Sequence, residues 1–132
     1  DCSFEAPKGP RIDGQWNPQI SLDLNTNAEL IGDEQREIVL TVSVTVKNAD
    51  ITAFLVEVKQ AGLFQVRNLA DTDYQRAVAV IAPNVLFPYA RALIAQLVAL
   101  GNFPQMLLPP VNFEALFAQS VAQAQAGSTA RN

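Results

Sequence analysis

The run REIVLTVSVTVKN, residues 36–48, alternates without a break: Ile38, Leu40, Val42, Val44 and Val46 fall on one face, Val39, Thr41, Ser43 and Thr45 on the other. Period two over that length is a β-strand with one buried face, and a strand requires partners. Upstream, Ile20, Leu22 and Leu24 alternate with Ser21 and Asp23 in the same way, and Gly32 and Asp33 supply a turn between the two runs. Downstream, KNAD at 47–50 has hairpin chemistry and leads into a third strand at about 52–66. That strand puts Phe54, Val56, Val58, Gln60, Gly62, Phe64 and Val66 on one side. Leu55, Glu57, Lys59, Ala61, Leu63 and Gln65 lie on the other, so both of its faces carry apolar groups. Cys2–Glu5 reads as the end of a further strand that begins upstream.

The character changes at Ala70. Asp71, Thr72 and Asp73 suit the N-terminus of a short helix, YQRAVAVIA, which is expected to break or kink at Pro83. Pro88 suits the first turn of a longer helix that Gly101 closes and Pro104 prevents from continuing. Asn112 caps a last helix, FEALFAQSVAQAQA, with the stripe Phe113, Leu116, Phe117, Val121 and Ala124, ending at Gly127. Strands first and helices afterwards give an α+β fold, with helices packed over an antiparallel sheet. The expected domain covers residues 1–126, and the small, polar stretch 127–132 is expected to be a flexible tail.

Composition removes several function classes. The chain has 132 residues, no histidine and one cysteine, Cys2, so triad catalysis, His-ligated metal and a thiolate zinc site within one chain are closed. Neither GxGxxG nor GxxxxGK[ST] occurs. Asp71 and Asp73 read as helix-terminus acids, and Glu29, Asp33, Glu34 and Glu37 as a solvated turn beside Arg36. No enzyme, cofactor or metal is expected. A net charge of −4 argues against nucleic acid and favours a basic partner. The lone cysteine fits a reducing compartment. No secretory signal is visible, residue 1 is Asp rather than Met, and Pro83, Asn84, Pro88, Arg91 and Gln96 interrupt the one stretch that resembles a membrane span.

Two surfaces are too apolar for a solitary small domain. The helix after Pro88 shows Ala90, Leu93, Ile94, Leu97 and Leu100 on one side, expected to lie on the sheet. Its other side shows Ala92, Ala95 and Ala99, flanked by Val98. Small residues let another backbone approach, so a second copy of the chain is the expected cover. The connecting segments carry Trp16, Phe103, Met106, Leu107 and Leu108. Each alone reads as core, and together they suggest a surface that accepts apolar ligands.

Ser3-Phe4-Glu5-Ala6-Pro7, Trp16-x-Pro18, Ala53-Phe54-Leu55-x-Glu57-Val58, Pro83-Asn84-x-Leu86-Phe87-Pro88-Tyr89-Ala90-Arg91 and Pro110-Val111-Asn112-Phe113-x-Ala115-Leu116-Phe117 occur in that order. By these motifs, from residue 1 to about 125, the chain resembles the SecB protein-export chaperone family. The resemblance implies a four-stranded antiparallel sheet with two C-terminal helices, assembled as a dimer of dimers in the bacterial cytoplasm. It implies a chaperone that holds unfolded precursor proteins and delivers them to the SecA ATPase, without nucleotide, metal or direct membrane insertion.

Carried over residue by residue, the SecA-docking positions are Asp1, Glu5, Leu55 and Glu57. The client groove corresponds to Trp16, Leu22, Leu24, Phe103, Met106, Phe113 and Phe117, and the oligomer-sensitive positions to Val56, Val58 and Gln60, beside the Ala92, Ala95 and Ala99 stripe. Departures are apolar residues where relatives often carry cysteine (Val56 and the Val78–Ala82 region), a more apolar long helix, and no evident acidic C-terminal tail. The alternative within the family is a chaperone dedicated to one antitoxin or a few clients. Outside it, the alternative is an oligomeric scaffold for a folded partner.

Overall fold

The structure, a computed structural model, describes residues 1–130, with side chains to residue 126. Four strands, β1 (Cys2–Glu5), β2 (Pro18–Gly32), β3 (Gln35–Asn48) and β4 (Ile51–Gln65), form one antiparallel sheet in the order β1-β4-β3-β2. The three long strands follow one another as a meander because both connections are tight. Ala49 and Asp50 both take positive φ, 52° and 64°, which is the mirror-image turn that matches strand twist. Glu34 (φ 63°) serves the β2–β3 turn, and its carbonyl accepts the Val66 amide at 2.8 Å.

Register places the expected alternation on two faces. Val42 and Val44 pair with Leu24 and Leu22 on one side and with Val58 and Val56 on the other. All five apolar residues of the β3 alternation are buried, with Phe54, Val56 and Val58. This inner face carries the core.

The helical layer differs from the sequence expectation. Helix α1 (Asp71–Arg76), a π turn (Ala77–Ile81) and helix α2 (Ala82–Leu100) form one continuous helical stretch, so the chain neither breaks at Pro83 nor restarts at Pro88. The π turn widens the helix just ahead of Pro83, which lacks an N–H and crowds the preceding turn. Pro88 sits inside α2. An interior proline costs about 3 kcal/mol. Burying Leu86, Phe87 and Ile94 against the sheet returns roughly 1.5–3 kcal/mol each, which outweighs it.

The caps also shift. Ala70 is the N-cap of α1 without a side-chain bond, and Asp71 and Asp73 lie inside the first turn, where the helix dipole favours them. Gly101 is right-handed (φ −75°), and Asn102 takes the left-handed position (φ 67°). The Asn102 amide donates to the Ala99 carbonyl and the Phe103 amide to that of Val98, which is a Schellman end with a buried Val98–Phe103 pair.

The sheet-facing stripe of α2 is Ala82, Pro83, Leu86, Phe87, Ala90, Ile94 and Val98. Val98 is therefore core rather than a flank of the outer side, and Leu100, at 83% exposed, is outer rather than core. A stripe of period four through Ala90, Ile94 and Val98 explains both, since Leu100 is half a turn off it. Helix α3 (Phe113–Ala130) starts as expected: the Ala115 amide donates to Asn112 Oδ1 at 3.0 Å. It runs past the expected stop at Gly127, since a glycine lowers helix propensity without forbidding the turn. The expected tail at 127–132 falls beyond the described side chains, and residues 131–132 lie outside the described residues.

Candidate functional site

Pairing β1 with β4 builds the first surface. Ser3 lies opposite Glu57 and Glu5 opposite Leu55, while the Asp1 carbonyl accepts the Lys59 amide at 2.8 Å. Asp1, Glu5, Leu55 and Glu57 therefore share the outer face, away from the helices. The row Ser3–Glu57–Ser43–Asp23 continues across the sheet. Asp23 thus adds a carboxylate that motif reading missed, although its alternation with Leu22 and Leu24 is the signal that places it there. Thr41, Ser43 and Thr45 line the middle of this face, Lys47 and Lys59 place two cations on it, and Val39, Ala61 and Leu63 add apolar groups.

The second surface is the margin of the core on the inner face. Helix α2 lies chiefly over β4 and touches β3 at few points, so the inner face of β2 lacks a full cover. Ile20 and Leu22 pair with buried Val46 and Val44 yet are 46% and 37% exposed. Leu24, Met106, Trp16 and Phe117 are half-buried where the core ends.

Four rings gather over the β1–β4 side of the inner face. Phe4 stacks on Phe54 at 5.5 Å, Phe103 packs on Phe54 at 4.7 Å, and Trp16 caps Phe103 at 6.1 Å. Phe103 and Phe113 are themselves buried; Phe113 meets Phe87 edge-on at 5.8 Å and joins α3 to α2. Of the expected groove residues, Trp16, Leu22, Leu24, Met106 and Phe117 thus offer surface, and Phe103 and Phe113 are buried in the core.

Two devices hold the irregular segments in place. The Asn48 side chain accepts from the Asn17 amide at 2.9 Å and donates to the Gln15 carbonyl at 3.3 Å, bracketing Trp16. Arg91 Nε donates to the Leu108 carbonyl at 2.5 Å, fixing the segment between α2 and α3. Beside Trp16 a cavity of about 290 Å³ opens between the β1–β2 connection and the β3–β4 turn, lined also by Ile12, Ile51 and Ala53 and by the charged Lys8, Arg11 and Asp13.

The third surface is the back of α2. Val85, Tyr89, Ala92, Ala99 and Leu100 are exposed and Ala95 is half-buried, so the small-residue stripe faces outward as expected. Val56 and Val58 are buried within the chain's own core and Gln60 is half-buried. The stretch Asp71–Leu100 is long and apolar enough to cross a membrane by length and composition, but its Ala90, Ile94 and Val98 stripe is committed to the sheet. Among the described residues no three carboxylates or thiols come together to hold a metal ion.

Comparison with known proteins places the chain in a family. The family described as "SecB: Preprotein translocase subunit SecB" matches residues 1–124. Proteins named "Protein-export protein SecB" from Pseudomonas paraeruginosa and Pseudomonas aeruginosa are 52% identical over 128 residues, covering 96% of this chain and 78% of theirs. A solved structure, the Mycobacterium tuberculosis Rv1957 SecB-like chaperone in complex with a ChAD peptide from the Rv1956 HigA1 antitoxin, superposes with a TM-score of 0.70. That match is at 13% identity and covers 84% of each chain, so what the two share is the fold.

Proposed function

Because the chain belongs to the SecB family and is a chaperone for protein export, we propose that it holds unfolded precursors on the inner-face margin and passes them to the SecA ATPase through the outer face. The observation that carries this reading is the incompletely covered β2. Ile20 and Leu22 continue the core's alternation but end in solvent, and Trp16 and Met106 are only half-buried against the same core. An extended apolar segment laid there completes the burial that the chain's own helices leave undone, recognised by area and main-chain hydrogen bonds rather than by sequence. Several weak contacts along one long client add through effective concentration. Binding the unfolded state in preference to the folded one delays folding by mass action.

Docking to SecA through Asp1, Glu5, Leu55 and Glu57 is supported by their convergence on one face and by the carboxylate excess there, which suits a basic segment. A homotetramer, built as a dimer of dimers with the back of α2 between subunits, is supported by the exposed Tyr89, Ala92 and Ala99 surface. The bacterial cytoplasm is the compartment where such a precursor handover occurs. General export is preferred to service of a single antitoxin because the acidic positions are retained.

Calorimetric titration of a permanently unfolded precursor against its folded form tests the proposal. Binding of the unfolded form alone is expected, and preference for the folded form would remove the chaperone reading in favour of a scaffold.

A further inference from the structure

Trp16 is the single tryptophan of the chain and sits in a connection with no regular structure. Residues 6–17 include Pro7, Pro10, and Gly9 and Gly14 at positive φ (68° and 81°), so the segment's own conformation does not fix where the indole lies. Among the described residues, the hydrogen bonds that tie the backbone of 11–17 to the sheet are the two made by Asn48. They fall on the residues immediately before and after Trp16, one accepted and one donated. Asn48 itself is anchored: it ends β3, pairs with Pro18 and Ile51, and precedes the tight turn at Ala49 and Asp50.

We infer that Asn48 is a positioning residue for client binding, acting through Trp16. By gripping the backbone on both sides of the indole, it sets the tilt of the ring on Phe103 and keeps open the cavity of about 290 Å³ that Asn48 and Trp16 line. The side chain at 48 must accept and donate at once, because Asn17 offers an N–H and Gln15 a carbonyl, and the Asn48 amide does both. A ring held in advance loses little freedom when a client side chain packs on it, so affinity depends on this preorganisation. The inference rests on the proposed client surface and adds a residue that contacts no client itself.

The test uses the whole chain and a reduced, carboxymethylated lactalbumin carrying an extrinsic dye as the unfolded probe. Wild-type protein that fails to bind this probe refutes the proposed function itself, separately from the inference. With binding established, Asn48→Ala is expected to red-shift Trp16 emission, lower its anisotropy and weaken the probe about five- to tenfold. Asn48→Asp keeps the acceptor for the Asn17 amide and loses the donor, so it is expected to fall between the two; should the alanine variant fail to fold, this one carries the test. In a Trp16→Ala background the affinity effect of either substitution should largely disappear. Unchanged emission and affinity in a folded Asn48 variant, or a loss of affinity that persists at full size without Trp16, overturns the inference.

Discussion

Gly101 lies against the ring of Phe4: a Cβ built at 101 would stand 2.5 Å from Phe4 Cζ and 2.6 Å from Cε1. The glycine is thus required by close packing between the end of α2 and the edge strand β1, and its φ of −75° is open to any residue. Phe4 has little room to retreat, since it stacks on Phe54 and borders Phe103. Gly101→Ala is therefore expected to destabilise the fold by about 1–3 kcal/mol, as overpacking does, read from the denaturant midpoint. A Phe4→Leu background should relieve much of that cost, and equal destabilisation in both backgrounds would contradict the packing account.

The segment from 104 to 111 is held by the bond from Arg91 to the Leu108 carbonyl and by the buried side chains of Phe103 and Leu108 at and near its ends. Arg91→Met keeps the aliphatic stem and removes the donor. Amide hydrogen exchange of 105–108 is expected to accelerate roughly tenfold, in line with a lost hydrogen bond to a charged group, while exchange in β3 stays unchanged. Acceleration spread evenly over the whole chain would mean that Arg91 supports the core at large.

Glu57 occupies the centre of the outer face, opposite Ser3 and Ser43, with its side chain away from the margin where Trp16 and Leu22 lie. Glu57→Lys should weaken SecA binding roughly tenfold at low salt and less as salt screens the patch, with client affinity untouched. Parallel loss of both would dissolve the division of labour between the two faces. Surface plasmon resonance with each partner in turn makes the comparison.

Ala92 is exposed on the back of α2, far from the Ala90, Ile94 and Val98 stripe that packs on the sheet. Ala92→Glu puts a charge where close approach of a second subunit is proposed. Light scattering is expected to show a smaller native mass, with the far-ultraviolet circular dichroism unchanged because no core residue is touched. A wild-type mass preserved in Ala92→Glu would move the subunit contact elsewhere.

The sheet was legible early because its signal is local. Alternation in β2, β3 and β4 put Leu22, Val44 and Val56 on one face and Asp23, Ser43 and Glu57 on the other, and backbone geometry allows no other arrangement once the strands pair. The Asn112 cap was legible for the same reason: a short side chain one residue ahead of the helix reaches the free amide of Ala115. The helices were read less well. Prolines 83 and 88 locally favour breaks, yet the burial of Leu86, Phe87 and Ile94 holds one continuous stretch across both.

The sequence by itself determined the two-faced strands, the absence of histidine chemistry and the family motifs, since each depends on spacing within a few residues. Only tertiary structure decided that Val98 is core and Leu100 is not, that Gly101 serves Phe4, and that the Asn48 amide brackets Trp16 from a strand end 32 positions along. Those relationships depend on which elements come to lie side by side, and the gain that brings them together is summed over the whole buried face of the sheet, so no short window of residues records it.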